Sequence, residues 1–188
     1  MEAYPTVVSR EKLFDRSVWS ELVFGNEVKS GRAWSMFFGR IALGFLFLWG
    51  GISKVQVTLA GGLATKGFLS GASVAGSPFA GFFNGLSGNM AVEWLVVGGE
   101  LAIGISLVFG FLTRIGNVSG ALMMLLFTIA MWPIADTAGA NPLVDYRVLY
   151  GLMFGMFFFL RPGRFLGVDG IVSRTLGKNY PVINRVLG

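Results

Sequence analysis

"VEWLVVGGELAIG", residues 92–104, sets two carboxylates, Glu93 and Glu100, seven positions apart among glycines and large aliphatics. On a soluble helix Glu100 is an ordinary surface charge. Across a bilayer it lies deep in hydrocarbon and needs a reason to be there. The rest of the chain decides between the two. Hydrophobic residues make up 54% of the sequence and charged residues 13%, against about 25% charged in a typical soluble domain. Four segments carry most of the apolar residues. Residues 33–52 contain one charge, Arg40, and residues 94–112 contain one, Glu100. Residues 115–135 contain none, and residues 142–160 confine Asp145 and Arg147 to their first turns. A hydrocarbon core of ~30 Å takes about 20 helical residues, and each segment meets that length. A soluble bundle helix shows a polar face at helical spacing, whereas "ALMMLLFTIAMW" (121–132) offers only Thr128.

The expected fold is therefore an all-α membrane protein, a bundle of four transmembrane helices over about 33–57, 91–112, 115–133 and 144–160. A polar tail (1–32) precedes the bundle, a long loop (58–90) joins its first two helices, and a basic tail (161–188) follows. In the first tail Leu13, Phe14, Val18 and Leu22 recur at helical spacing between charged residues, the pattern of an amphipathic surface helix. Its charge is unlike a signal peptide, in which an apolar run follows a short basic start. Eleven basic residues fall on the side of the two tails and the 113–114 link, against two, Lys66 and Arg147, in the opposite loops. By the positive-inside rule both termini are cytoplasmic, in a plasma membrane protein. The 58–90 loop is rich in Gly, Ala and Ser and carries one charge, Lys66. Such a segment packs over the bundle mouth or lies at the bilayer surface rather than in water. "GNVSG" (116–120) and "GLMFG" (151–155) are GxxxG patterns that allow close approach of the third and fourth helices.

The chain has no cysteine and no histidine. Disulfides, thiol redox chemistry, Cys-ligated clusters and His-ligated haem or zinc are thus excluded within it. No metal site is expected, and the basic charge follows topology rather than marking nucleic-acid binding.

Depth then sorts the charges. Arg40 lies ~9 Å from the cytoplasmic end of its helix and can snorkel to the headgroups. Lys54 lies ~5 Å from the opposite end. Glu93 falls at the outer rim, where a carboxylate is cheap, and Glu100 ~13 Å deep, near the midplane. Seven residues come ~20° short of two turns, so both acids share one face. An ionised acid near the bilayer centre costs ~2.5–3.5 kcal/mol on insertion scales. It persists by facing the bundle interior, by pairing with a cation such as Lys54 or Arg147, or by taking up a proton. Two readings stay open: a buried ion pair that only fixes packing, or a proton-handling or anion-binding site facing outward. Trp49, Trp94, Trp132, Tyr146 and Tyr150 fall in the same outer half. Interfacial belts account for such aromatics, and flat rings beside an acid and a lysine also suit a quinone.

At these residues the chain resembles a family. "GRIALGFLFLWGGISKV" (39–55) is similar to the first helix of DoxX-type membrane proteins, with its Arg and closing Gly-x-x-Lys. "VEWLVVGGELAIGISLVFGFLTRIG" (92–116) resembles their second helix, and "RPGRFLGVDGIV" (161–172) their ending. Within the superfamily the leading tail and the long Gly/Ala/Ser loop look most like DoxD, the larger membrane subunit of thiosulfate:quinone oxidoreductase in sulfur-oxidising prokaryotes, notably archaea. The resemblance implies oxidation of thiosulfate to tetrathionate with electrons passed to membrane quinone. It also implies a DoxA-like small subunit and association with a terminal quinol oxidase. It supplies no residue roles. From the residues, Glu100, Lys54 and Glu93 are the expected catalytic and proton-handling groups. Arg147, Asp145 and Lys66 are expected to receive the sulfur oxyanion, and Trp49, Trp94, Trp132 and Tyr146 to line a quinone slot. A non-catalytic accessory subunit of a respiratory complex is the alternative, and a small transporter a third reading, for which no inverted repeat is visible. Lipid contacts and a homo-oligomer are compatible with either.

Overall fold

The computed structural model describes residues 30–132, 145–175 and 187. The amphipathic segment at 13–22, the 133–144 loop with Asp136, and the end of the basic tail lie outside them. Every element among the described residues is helical: α1 (Gly31–Leu59), α2 (Lys66–Leu69), α3 (Ala72–Ala75), α4 (Ala80–Leu86), α5 (Met90–Phe109), α6 (Thr113–Ala130), α7 (Tyr146–Leu160), a 3-10 turn (Pro162–Arg164) and α8 (Val168–Thr175). Three helices, α1, α5 and α6, are long and apolar enough to cross a membrane. In the fourth expected span the described helix is α7, apolar but only 15 residues long, or ~22 Å. α1 has 29 residues, ~43 Å, and outreaches a bilayer core by more than two turns.

Each long helix starts where a side chain accepts from its first amides. Ser30 accepts from Ala33 N at the start of α1. Asn89 Oδ1 accepts from Ala91 N at 2.9 Å and from Val92 N, and Asp145 Oδ1 accepts from Arg147 N at 2.8 Å. Such caps satisfy donors that a helix end leaves open. α5 stops at Phe109 because Gly110 turns left-handed at φ 66°. It ends three residues before the sequence pattern predicts, for apolar periodicity continues through the turn to Leu112.

α1 packs along α5 and α6 along α7, with α5 against α6 between them; the α1–α7 seam is sparse. Between all four lies a core of Leu43, Phe47, Ile103, Leu107, Met124, Phe154 and Phe157, with Phe47 edge-on to Phe154 at 5.1 Å. The perimeter is apolar too: Leu95 and Phe159 are 75% and 80% exposed, the inverse of a soluble domain and what a lipid-facing bundle requires.

The closest backbone approach is between α1 and α5. A Cβ on Gly104 would lie 2.6 Å from Leu48 Cα, and one on Gly51 2.9 Å from Leu101 N. The two GxxxG patterns do not meet in this way. Gly116 faces Ser106 of α5, Gly120 faces the Phe154 ring, and Gly155 borders open space. The expected glycine-to-glycine contact of α6 with α7 is therefore replaced by a glycine against an aromatic ring.

The 60–89 connection folds over one end of the bundle, its Leu69, Val74 and Phe83 packing with Ala130 at the end of α6. This end is called the loop end below, and the opposite one the basic end. At the basic end, residues 161–175 are not a loose tail. The turn and α8 pack against each other, the turn also packs against α1, and Asp169 N donates to Gly110 O at 2.8 Å.

Replacing Gly104 with Val forces α1 and α5 apart. The expected cost is ~1–3 kcal/mol, seen as a lower melting temperature in detergent. A variant that melts with the wild type contradicts the close approach.

Candidate functional site

Glu100 on α5 is 5% exposed, and the sequence leaves its partner open between Lys54 and Arg147. The partner is Lys54 of α1, whose Nζ donates to both carboxylate oxygens, to Oε2 at 2.6 Å. The helix spacing makes this possible. Gly50, one turn before Lys54, would carry a Cβ 3.5 Å from Glu100 Oε2, so the carboxylate lies against bare α1 backbone.

Arg147 forms a second pair with its own helix cap. Its Nε donates to Asp145 Oδ1 at 2.6 Å and its Nη2 to Oδ2 at 2.8 Å. This fork is bidentate and buried, with Arg147 3% and Asp145 5% exposed. Nη1 touches Met131 Sδ, and the guanidinium lies 5.0 Å over the Tyr146 ring.

The two pairs meet at one cleft with two chambers. One, about 190 Å³, is lined by Gly50, Lys54, Glu100, Tyr146, Arg147 and Tyr150, with Phe47, Met124 and Phe127 behind them. The other, about 210 Å³, lies beneath the loop-end connection against Ala64, Thr65, Phe68 and Val96. Lys54, Phe127, Tyr146 and Arg147 line both chambers. Leu46 and Tyr146, both exposed, stand on opposite sides of the α1–α7 seam beside the first chamber. Each chamber falls short of the ~300–1,000 Å³ of a drug-sized pocket. Each has room for a small anion or one flat ring, with any long tail outside.

Not every expected residue reaches the cleft. Lys66 is exposed at the start of α2 and lines neither chamber. Trp49, Trp94 and Trp132 are 63%, 43% and 52% exposed and also line neither. They stand on the perimeter, where the belt reading puts them, and Tyr146 is the one expected quinone residue at the cleft. Phe47 and Phe127 join the cleft without any sequence signal, and Tyr150, one of the outer-half aromatics but not of the expected slot, joins it too. Tyr150 was within reach, since it follows Tyr146 by one turn on the same helix face.

Glu93 is corrected more sharply. Expected at a solvated rim, it is fully buried. Its carboxylate accepts from Thr58 Oγ1 at 2.6 Å, Ala64 N at 2.7 Å and Thr65 N at 3.0 Å, and from Thr65 Oγ1. These four donors fasten the start of the connection to α5. The acid is saturated and lines neither chamber, so its position suits holding the loop rather than exchanging protons. Both acids do share one face of α5: Glu93 meets α1 at Thr58 and Glu100 meets it one turn back, at Lys54.

Arg40 is the other correction. It does not snorkel. It is fully buried, donating to Pro162 O at 3.2 Å and Leu166 O at 2.9 Å. Nearby, Asp169 accepts from Leu112 N at 2.7 Å and from Thr113 N and Oγ1 at 2.8 and 2.7 Å, capping α6 from 56 residues away. Arg40 and Asp169 thus tie the 161–170 turn into the basic end.

The family model for DoxX matches residues 35–132, which spans α1 to α6 and more than half of the chain. No curated protein and no solved structure gives a significant match.

Replacing Glu93 with Ala strands the donors of Thr58, Ala64 and Thr65, at ~1–3 kcal/mol for each donor left unsatisfied. Limited proteolysis is expected to cut the 60–89 connection faster in Glu93→Ala than in wild type, while Glu100→Gln is cut like wild type. Equal rates for Glu93→Ala and wild type rule out the anchor.

Proposed function

Since the chain belongs to the DoxX family, we propose that it is the membrane subunit of a thiosulfate:quinone oxidoreductase. In this reading it sits in the cell membrane with both termini cytoplasmic, and α7 makes the fourth crossing. The observation that carries the reading is the two-chamber cleft whose shared wall holds Lys54, Arg147 and Tyr146. One chamber adjoins the loop-end connection and suits an ion arriving from water. The other adjoins the α1–α7 seam and suits a flat ring arriving through lipid.

The chemistry needs both entrances. Two thiosulfate dianions each give up one electron and join through a new sulfur–sulfur bond as tetrathionate. The two electrons, with two protons, convert a quinone to its quinol. No cysteine is present to carry a sulfur intermediate, so electrons pass between the two substrates directly or through a partner subunit of the DoxA kind. A terminal quinol oxidase then reoxidises the product.

Within this scheme Lys54 and Arg147 attract the dianion, each already balanced by a carboxylate so that the empty cleft is close to neutral. An anion that takes Lys54 as its counter-ion displaces Glu100 and leaves that carboxylate as the proton carrier of the scheme. From there it can serve a quinone carbonyl in the same chamber. Tyr146 and Tyr150 pack edge to face at 5.7 Å and offer the ring an aromatic wall and hydroxyl donors.

Glu100→Gln keeps the shape and a hydrogen-bonding group but cannot carry the proton. Thiosulfate-dependent quinone reduction by the purified complex is expected to fall ~10²–10⁴-fold, with thermal melting near that of the wild type. Turnover near normal in that variant sinks the proton role. Co-purification of wild-type protein with oxidase subunits but without any such turnover favours an accessory subunit instead.

A further inference from the structure

Four arginines converge at the basic end, on the side of α6 and α7. Arg114 follows the first residue of α6, Arg161 ends α7, Arg164 closes the 3-10 turn and Arg174 lies in the last turn of α8. Arg114 lies 4.5 Å over the Phe158 ring in the last turn of α7, and Arg174 Nη2 donates to Arg164 O at 2.7 Å. All four are part-buried. Burial lowers the proton affinity of the Arg164 guanidinium, Arg161, Arg114 and Arg174 add to the effect, and Asp169 opposes it.

Among the described residues Asp169 is the acid that acts on Arg164, and both its oxygens already accept from Leu112 and Thr113. The Arg164 guanidinium donates to no group among the described residues, and its Nε is fully enclosed without an acceptor. A part-buried cation among three like charges calls for an anion of high charge density with several acceptor oxygens.

The surroundings say which anion. Val118, Leu122 and Leu125 of α6, 53%, 55% and 55% exposed, continue the ridge that begins at Arg114. At i, i+4, i+8 and i+11 these α6 residues form one stripe along the helix. A phosphate at the arginines with acyl chains along that stripe satisfies both features, whereas a free ion satisfies only the first. We propose that the basic end carries a specific site for an anionic phospholipid, its phosphate held by Arg114, Arg161, Arg164 and Arg174. The lipid would clamp α6, α7 and α8 together where the chain leaves the bundle.

The test uses the full-length protein in nanodiscs and native mass spectrometry, with phosphatidylglycerol and phosphatidylcholine as probes. Wild-type protein is expected to retain phosphatidylglycerol over phosphatidylcholine and to melt higher in phosphatidylglycerol. Arg114→Gln/Arg161→Gln should lower that retention roughly tenfold or more, at about one headgroup-distance charge contact per arginine. Its melting temperature in phosphatidylcholine should stay that of wild type. If the double variant does not fold, Arg174→Gln is read in the same way with a smaller loss. Free phosphate at matched concentration should leave melting unchanged in phosphatidylcholine. Stabilisation by free phosphate alone, equal retention of both lipids by wild type, or full retention by folded variants overturns the site.

Discussion

The close approach of α1 to α5 is the contact on which the rest of the molecule depends. Lipid gives apolar helices no hydrophobic reason to associate, so dispersion contact through small residues must hold them. Gly51 and Gly104 remove the Cβ atoms that would otherwise meet Leu101 N and Leu48 Cα. Gly50 leaves the adjacent space for the Glu100 carboxylate. Lys54 then follows by one turn and finds that carboxylate within hydrogen-bond reach. A wider separation would leave an acid and an amine each alone in a low dielectric, which costs more than the pair itself returns.

The buried carboxylates divide by the kind of donor that satisfies them. Glu93 and Asp169 accept from backbone amides and threonine hydroxyls, one at each end of the bundle. Both close a chain connection onto a helix, and both satisfy amides that water cannot reach. Glu100 and Asp145 instead pair with cations. Neutral donors in a fixed loop have nothing to exchange. A cation can trade one anion for another, and the cations of both pairs, Lys54 and Arg147, line the cleft, with Glu100 beside them.

Much of this was legible in the sequence, and the limits have physical causes. Apolar length placed α1, α5 and α6, and helical periodicity put Glu93 and Glu100 on one face. Depth alone misjudged Arg40 and Glu93, because it treats a charge near a helix end as one in contact with water or headgroups. Arg40 donates to the backbone carbonyls of Pro162 and Leu166, and Glu93 accepts from the amides of Ala64 and Thr65 as well as from threonine hydroxyls. No side-chain pattern announces a backbone partner that far away in sequence. The tryptophans stand outside the cleft for another reason. Their sequence positions fixed their depth but not which way around the helix they pointed, and Trp49 and Trp94 point outward. Tyr150 shares a face with Tyr146 and was readable from spacing alone.

The position of the Lys54–Glu100 pair along the bundle follows from what the cleft has to reach. The desolvation cost of an acid this deep is met by its cation rather than by water. A pair at the surface would be wetted, and a hydrated carboxylate and ammonium attract each other weakly. At the depth seen here, one wall of the cleft is the loop-end connection pinned by Glu93, and the other borders the sparse seam between α1 and α7. Tight α1–α5 and α6–α7 packing on both sides leaves that seam as the place where the bundle can admit a flat apolar molecule without breaking a helix pair. The Glu93 anchor and the sparse seam thus bound the cleft on two sides, one fastened by hydrogen bonds and the other held by few contacts.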